Sequence, residues 1–218
     1  MNLSLKHVGS ALTPGVRGLI VVLLATYVAA LAGRFTGAYD LEGWLALSPR
    51  GVWQGQVWRL ITYSFLPNAV FDFVLNGFAL AMLGTLLERA WTRGQLWSYY
   101  LIVAAGTGLV RFALAPSTAW LFVGATGAVY GFLAAWARLF GQEPMSLMGT
   151  WNTTVRNIAL VMALVGLLTL LSFAGWRDCV AVAAGGVTGW IYLSIRWRRN
   201  LAAPAGRASS ERISRLEF

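Results

Sequence analysis

The sequence predicts an all-α, polytopic membrane protein with six transmembrane helices, and three observations carry that prediction. Hydrophobic residues make up 58% of the 218 positions and charged residues only 11%, with a mean hydropathy of +0.64; soluble domains carry about 25% charged residues. Six apolar runs, at 17–35, 69–88, 95–114, 121–140, 156–174 and 179–196, approach the length of about 20 residues that crosses a bilayer. Each run is continuous rather than alternating, which selects helices over a closed barrel as the way to satisfy backbone groups in lipid.

The elements follow in order. Residues 1–16 read as a short cytoplasmic arm, 17–196 as one membrane domain and 197–218 as a basic cytoplasmic tail. Residues 18–32 resemble the apolar part of a signal peptide, with Ala30-Leu31-Ala32 as a cleavage-like site, and are read instead as a retained first span. Residues 36–66 are too polar to cross but contain Trp44, Trp53 and Trp58. Because tryptophan favours the membrane interface, this stretch is expected to be a structured outer loop of short amphipathic pieces, broken by Gly43, Pro49, Gly51 and Gly55. Trp91, Trp97, Trp120, Trp136, Trp151, Trp176, Trp190 and Trp197 fall near span ends, where an aromatic belt would lie. Cys179 is the single cysteine, so no internal disulfide is possible.

Charge sets the expected topology. Twelve Lys and Arg residues, from Lys6 and Arg17 through Arg89, Arg93, Arg138 and Arg156 to the run beginning at Arg196, fall on one side of the six-span scheme. Five (Arg34, Arg50, Arg59, Arg111 and Arg177) fall on the other. Cytoplasmic loops carry the Lys/Arg excess, so both termini are expected in the cytoplasm, with the protein in a bacterial inner membrane. The net charge of +9 is then positive-inside bias and attraction to lipid, not a nucleic-acid footprint.

Inside the fourth run stands Gly124-Ala125-Thr126-Gly127-Ala128-Val129-Tyr130-Gly131. Upstream lies Trp58-Arg59, then Pro67 nine residues after Trp58, Asp72 five further on, Asn76 four further on and Glu88-Arg89 twelve beyond that. Downstream comes Ala181-Val182-Ala183-Ala184-Gly185, with Gly189 four residues later. This ordered set resembles the rhomboid intramembrane proteases over roughly residues 17–196. The resemblance places Thr126 at the serine nucleophile, Asn76 at the family's asparagine, and Pro67 and Asp72 where the family usually has histidines. Val182 takes the place of the catalytic histidine, or Ala183 if the paired glycines are aligned one residue over.

The catalytic pair is therefore missing. A neutral hydroxyl needs an adjacent base to become a nucleophile, and in a Ser–His pair the imidazole takes and returns the proton. The one histidine, His7, lies outside every apolar run. Thr126 is expected to be satisfied by its own helix. Gly127, Gly131, Gly185 and Gly189 are expected to let spans four and six approach closely, with Thr126 facing Val182 or Ala183. Asp72 is the one residue that resists a structural account, since an intramembrane carboxylate costs about 2.5–3.5 kcal/mol and marks function by default. It is expected to bond Asn76 one turn away or to pair with Arg59. Arg111 is expected to snorkel to the interface, Trp58-Arg59 to anchor the loop in headgroups, Glu88-Arg89 to brace the inner end of span two, and Tyr130 to fill core space. No cofactor and no metal site are expected, as no motif for either appears and usable histidine is lacking.

The function expected is that of a catalytically inactive rhomboid-like pseudoprotease. It would bind transmembrane helices of partner proteins through Trp58, Arg59, Asp72, Asn76, Thr126 and Tyr130, as a client-handling factor or an accessory subunit of a membrane complex. The competing expectation is a divergent serine/threonine-type protease with Thr126 as nucleophile and Asp72 as base.

Overall fold

The computed structural model describes residues 12–116, 121–147 and 151–202, with the side chains of 146–147, 151–152 and 197–202 outside that description. Lys6 and His7, Trp120, most of the expected arm and the tail beyond 202 lie outside the described residues.

Nine helices are described: α1 (Pro14–Thr36), α2 (Leu41–Leu45), α3 (Pro49–Trp53), α4 (Arg59–Thr62), α5 (Val70–Ala90), α6 (Arg93–Leu114), α7 (Thr126–Phe140), α8 (Val155–Phe173) and α9 (Trp176–Ala202). Five of them, α1, α5, α6, α8 and α9, are long and apolar enough to cross a bilayer. The sixth expected span is shorter than predicted. α7 has 15 residues, about 22 Å at 1.5 Å per residue, against a hydrocarbon core of about 30 Å.

The cause is local. Gly124 adopts φ 121°, a left-handed conformation that ends helical continuity upstream of Thr126. Residues 121–125 instead enter the bundle as non-helical chain. Their backbone groups find partners in the outer loop. Leu47 and Phe122 exchange two N–H···O bonds of 2.9 Å, and Gly124 N donates to Tyr63 O at 3.1 Å. Non-helical backbone at depth is tolerated only when protein satisfies it in this way.

A second departure from all-α is an antiparallel pair of strands, β1 (Pro144–Leu147) with β2 (Trp151–Thr154), in the connection between α7 and α8. It lies in a polar stretch between two apolar runs, where hydropathy has nothing to report.

α9 packs extensively on both α6 and α7, and α7 also contacts α5 and α8. The main core joins Leu19, Leu80, Tyr99, Tyr100, Val103 and Phe132 from α1, α5, α6 and α7. Trp136 is 4% exposed and belongs to this core. It is not a belt residue, because it points from the central helix rather than a peripheral one. Trp44 and Trp53 are exposed.

Both ends of the described chain lie at one end of the bundle. Glu88, near the C-terminus of α5, accepts hydrogen bonds from Thr13 Oγ1 (2.5 Å), Gly15 N (2.7 Å) and Val16 N (2.9 Å). The brace expected of Glu88 is thus a cap supplied by α5 to the first turn of α1, where backbone N–H groups otherwise lack partners and the helix dipole favours an anion. Ala90, at the same end of α5, shares a cleft with Arg196 of α9.

Candidate functional site

The short α7 begins inside the bundle, so its first residue, Thr126, sits at the base of a descending loop. Asn76 on α5 reaches it: Asn76 Nδ2 donates to Thr126 Oγ1 at 3.3 Å and to Asp72 Oδ1 at 2.5 Å. Asp72 Oδ2 also accepts from the backbone N–H of Asn68 at 3.1 Å. Thr126 is therefore engaged across helices rather than by its own helix alone. The reason is that α7 starts at Thr126, so no preceding turn stands behind it.

Asp72 does not pair with Arg59. It lies in the first turn of α5, where the helix dipole favours a carboxylate, and its two oxygens serve Asn68 and Asn76. Pro67, Asp72, Asn76 and Ala125 line one small space that has no room for a water molecule. The cluster is a closed polar contact between α5 and α7.

Val182 is 3% exposed and Ala183 half-buried on α9. The α7–α9 contact is made where glycines face each other. A Cβ on Gly185 would overlap the carbonyl oxygen of Gly127, and a Cβ on Gly189 would lie 3.3 Å from Gly131 Cα. Thr107 of α6, also buried, wedges against both Gly127 and Gly185. Small residues allow such approach in membranes.

Tyr130 does more than fill space. Its hydroxyl donates to Ala163 O of α8 at 3.1 Å, and it crosses at Gly166, where a Cβ would strike the Tyr130 hydroxyl. It fastens α8, a helix whose Leu160, Leu164, Leu168 and Leu171 are all exposed.

Arg59 is buried, at 7% exposure, and does not reach headgroups. Its guanidinium donates to Gln56 Oε1 (2.5 Å), to Ala46 O (2.8 Å) and to Gly43 O. It thus organises α2, α3 and α4 by filling carbonyls that a tight loop leaves unpaired. Burial pushes its pKa down, while the charge of Asp40 acts in the opposite direction. Trp58 is exposed, and its Nε1 donates to Trp44 O at 3.4 Å.

Arg111 does not snorkel. It forms an ion pair with Asp178 of α9, and its guanidinium lies 4.5 Å above the Phe122 ring. Asp178 was not among the expected site residues. Its signal was an acid in the first turn of a span, but its partner is 67 positions away in sequence, which no spacing argument reaches. Among the described residues, no group of three or more His, Cys, Asp or Glu could hold a metal ion.

The architecture defines a polytopic integral membrane protein built around a short internal helix. The chain belongs to the family described as Eukaryotic integral membrane protein (DUF1751), whose model matches residues 17–199. It is 24% identical to Transmembrane protein 115 of Bos taurus over 212 residues, covering 89% of this chain and 58% of that protein. It is also 27% identical to Rhomboid protease GluP of Bacillus subtilis (strain 168) over 113 residues, covering 52% of this chain and 22% of that protein. The matches therefore span less than two thirds of either relative's length. A rhomboid-like relationship stands on this second similarity and on the ordered motifs. The family is described as eukaryotic, which speaks against the bacterial inner membrane expected from sequence, and what the matches support is an integral membrane protein. Positive-inside bias reports a side of a membrane, not an organism.

Proposed function

We propose that the protein is a catalytically inactive, rhomboid-like membrane protein that receives the transmembrane helix of a partner between α5 and α8. The observation that carries this reading is the pairing of Thr126. Its contact is the Asn76 amide, which donates to both Thr126 and Asp72. An amide N–H cannot accept the hydroxyl proton, so it separates the nucleophile position from the nearest carboxylate, and Val182 and Ala183 carry no titratable group. Purified protein is expected not to react with fluorophosphonate probes or to cleave transmembrane substrates. Labelling that disappears in Thr126→Ala would overturn the inactive reading and make Asp72 the candidate base.

The reception of a helix is supported by what flanks α7. Phe71, Val74, Leu75 and Phe78 of α5 are exposed apolar side chains, and so are those of α8. An incoming helix would meet the Asp72–Asn76 pair, where polar contacts in membranes contribute about 0.6–2 kcal/mol. Photocrosslinkers at Phe78 and Leu164 are expected to capture partners, and Asp72→Leu to reduce capture several-fold while the protein, though destabilised by the loss of the Asn68 and Asn76 contacts, remains folded. Capture confined to positions on α1 or α6 would instead favour an accessory subunit docked elsewhere. Fixed stoichiometry on purification would favour the same subunit reading, and varied substoichiometric partners a client-handling role.

The orientation proposed is cytoplasmic for both termini, given the twelve-to-five split of Lys and Arg. Reporter fusions before residue 1 and after residue 218 are expected to read cytoplasmic, and an external signal from either would refute it.

A further inference from the structure

We propose that the cleft at the arginine-rich end of the bundle, where the α5–α6 turn meets α7 and α9, binds the phosphate group of an anionic phospholipid. The cleft has a volume of about 290 Å³, and its lining includes Trp91, Gln95, Tyr99, Leu139, Tyr192 and Arg196.

Its chemistry is that of a donor set. The Tyr192 hydroxyl accepts a hydrogen bond from Arg196 Nη1 at 3.0 Å, which holds the guanidinium in place and leaves the phenolic proton to donate outward. Gln95 Oε1 is occupied by the Thr92 N–H at 3.1 Å, so its amide nitrogen is the end left to bind a ligand. The Trp91 indole can only donate. Tyr99, by contrast, gives its hydroxyl proton to Gly131 O at 2.6 Å and serves as wall. Among the described residues no carboxylate lines the cleft, and Glu88, the acid nearest in sequence, is turned to the first turn of α1. A fixed guanidinium with neutral donors around it and no competing acid selects an anion, and phosphate oxygens suit its planar fork.

Position selects the lipid over a free ion. The cleft lies at the end where α1 begins and α5 and α7 end, beside interface-seeking Trp91. On α9, Ile191 and Ile195 are exposed one turn apart, next to Tyr192 and Arg196. They provide an apolar track for an acyl chain below the phosphate. Basic pockets between helices at the positive end of a membrane protein recognise anionic headgroups.

The test is native mass spectrometry of the full chain in mild detergent, titrated with phosphatidic acid and with phosphatidylcholine of the same acyl chains. Phosphatidic acid adducts are expected to dominate and to persist in excess inorganic phosphate. Arg196→Gln is expected to weaken phosphatidic acid binding about tenfold, the loss of one charge-assisted contact. Arg196→Lys should retain most of the binding, and Arg177→Gln, at the opposite end, should retain all of it. If Arg196→Gln fails to fold by melting temperature, Gln95→Leu provides the second variant, with a several-fold loss expected. Equal binding of phosphatidylcholine, wild-type affinity in the folded variants, or an equal loss in Arg177→Gln would overturn the proposal. Complete displacement by inorganic phosphate would replace the lipid site with a free-anion site.

Discussion

Asp178→Asn is expected to lower stability by about 3–5 kcal/mol, because it leaves the Arg111 guanidinium buried without its counter-charge. The side chains of Arg111 and Asp178 are 16% and 19% exposed, so the pair belongs with buried ion pairs rather than with surface pairs, whose contribution is about 0–1 kcal/mol. Among the described residues, Phe122 offers Arg111 only its ring face, and Arg111 Nε lacks a hydrogen-bond partner. The measurement is thermal unfolding in mild detergent, with the double variant Arg111→Met/Asp178→Leu alongside. Replacing both charges by apolar groups should recover most of the loss, since the desolvation penalty of both ions is then removed. A single-variant loss below about 1 kcal/mol would mean that water or lipid headgroups reach the pair.

Gly185→Val is the second large effect. The Cβ alone would overlap the Gly127 carbonyl oxygen and approach Thr107 Oγ1 at 2.6 Å. The first obstacle is backbone, which cannot turn aside as a flexible side chain can. α9 must therefore shift away from α7, and overpacking of this kind costs about 1–3 kcal/mol and sometimes more. The expected result is a lower melting temperature together with faster proteolysis of the α8–α9 connection. Gly186→Ala is the matched control. A Cβ there would meet the Tyr130 carbonyl, O at 3.6 Å and C at 4.0 Å, ordinary contacts, so it should be close to neutral. Equal behaviour of the two variants would show that α7 and α9 do not approach through Gly127 and Gly185.

The two variants mark different limits of sequence reasoning. The glycines of α7 and α9 were legible as a close-approach seam, because small residues at a four-residue spacing on two apolar runs have few other uses in a membrane. The ion pair was not. Arg111 near a span end reads as a snorkelling cation when its surroundings are unknown, and only the docking of α9 on α6 brings Asp178 to it. Arg59 was misplaced for the same reason. Beside Trp58 it suggests a headgroup anchor, but the tight path of residues 43–56 leaves carbonyls that need a buried donor. Thr126 and Asn76 could be singled out by their order along the chain, and their hydrogen bond depends on where α7 starts.

The sequence by itself determined the membrane class, the apolar runs, the tryptophan-bearing first loop of short helical pieces and the small-residue seam. These follow from hydropathy, length and side-chain size, which are properties of contiguous residues. The tertiary structure decided that the fourth run is a short internal helix rather than a full span, because Gly124 and the Leu47–Phe122 pairing break it. It also decided that Asn76 stands between Asp72 and Thr126, that Glu88 caps α1, and that Tyr130 fastens α8. Apart from the Asn76–Asp72 contact, one helical turn apart and expected from spacing, each of these is a hydrogen bond between groups far apart in the chain. Their partners are selected by packing, and local sequence carries no record of that choice.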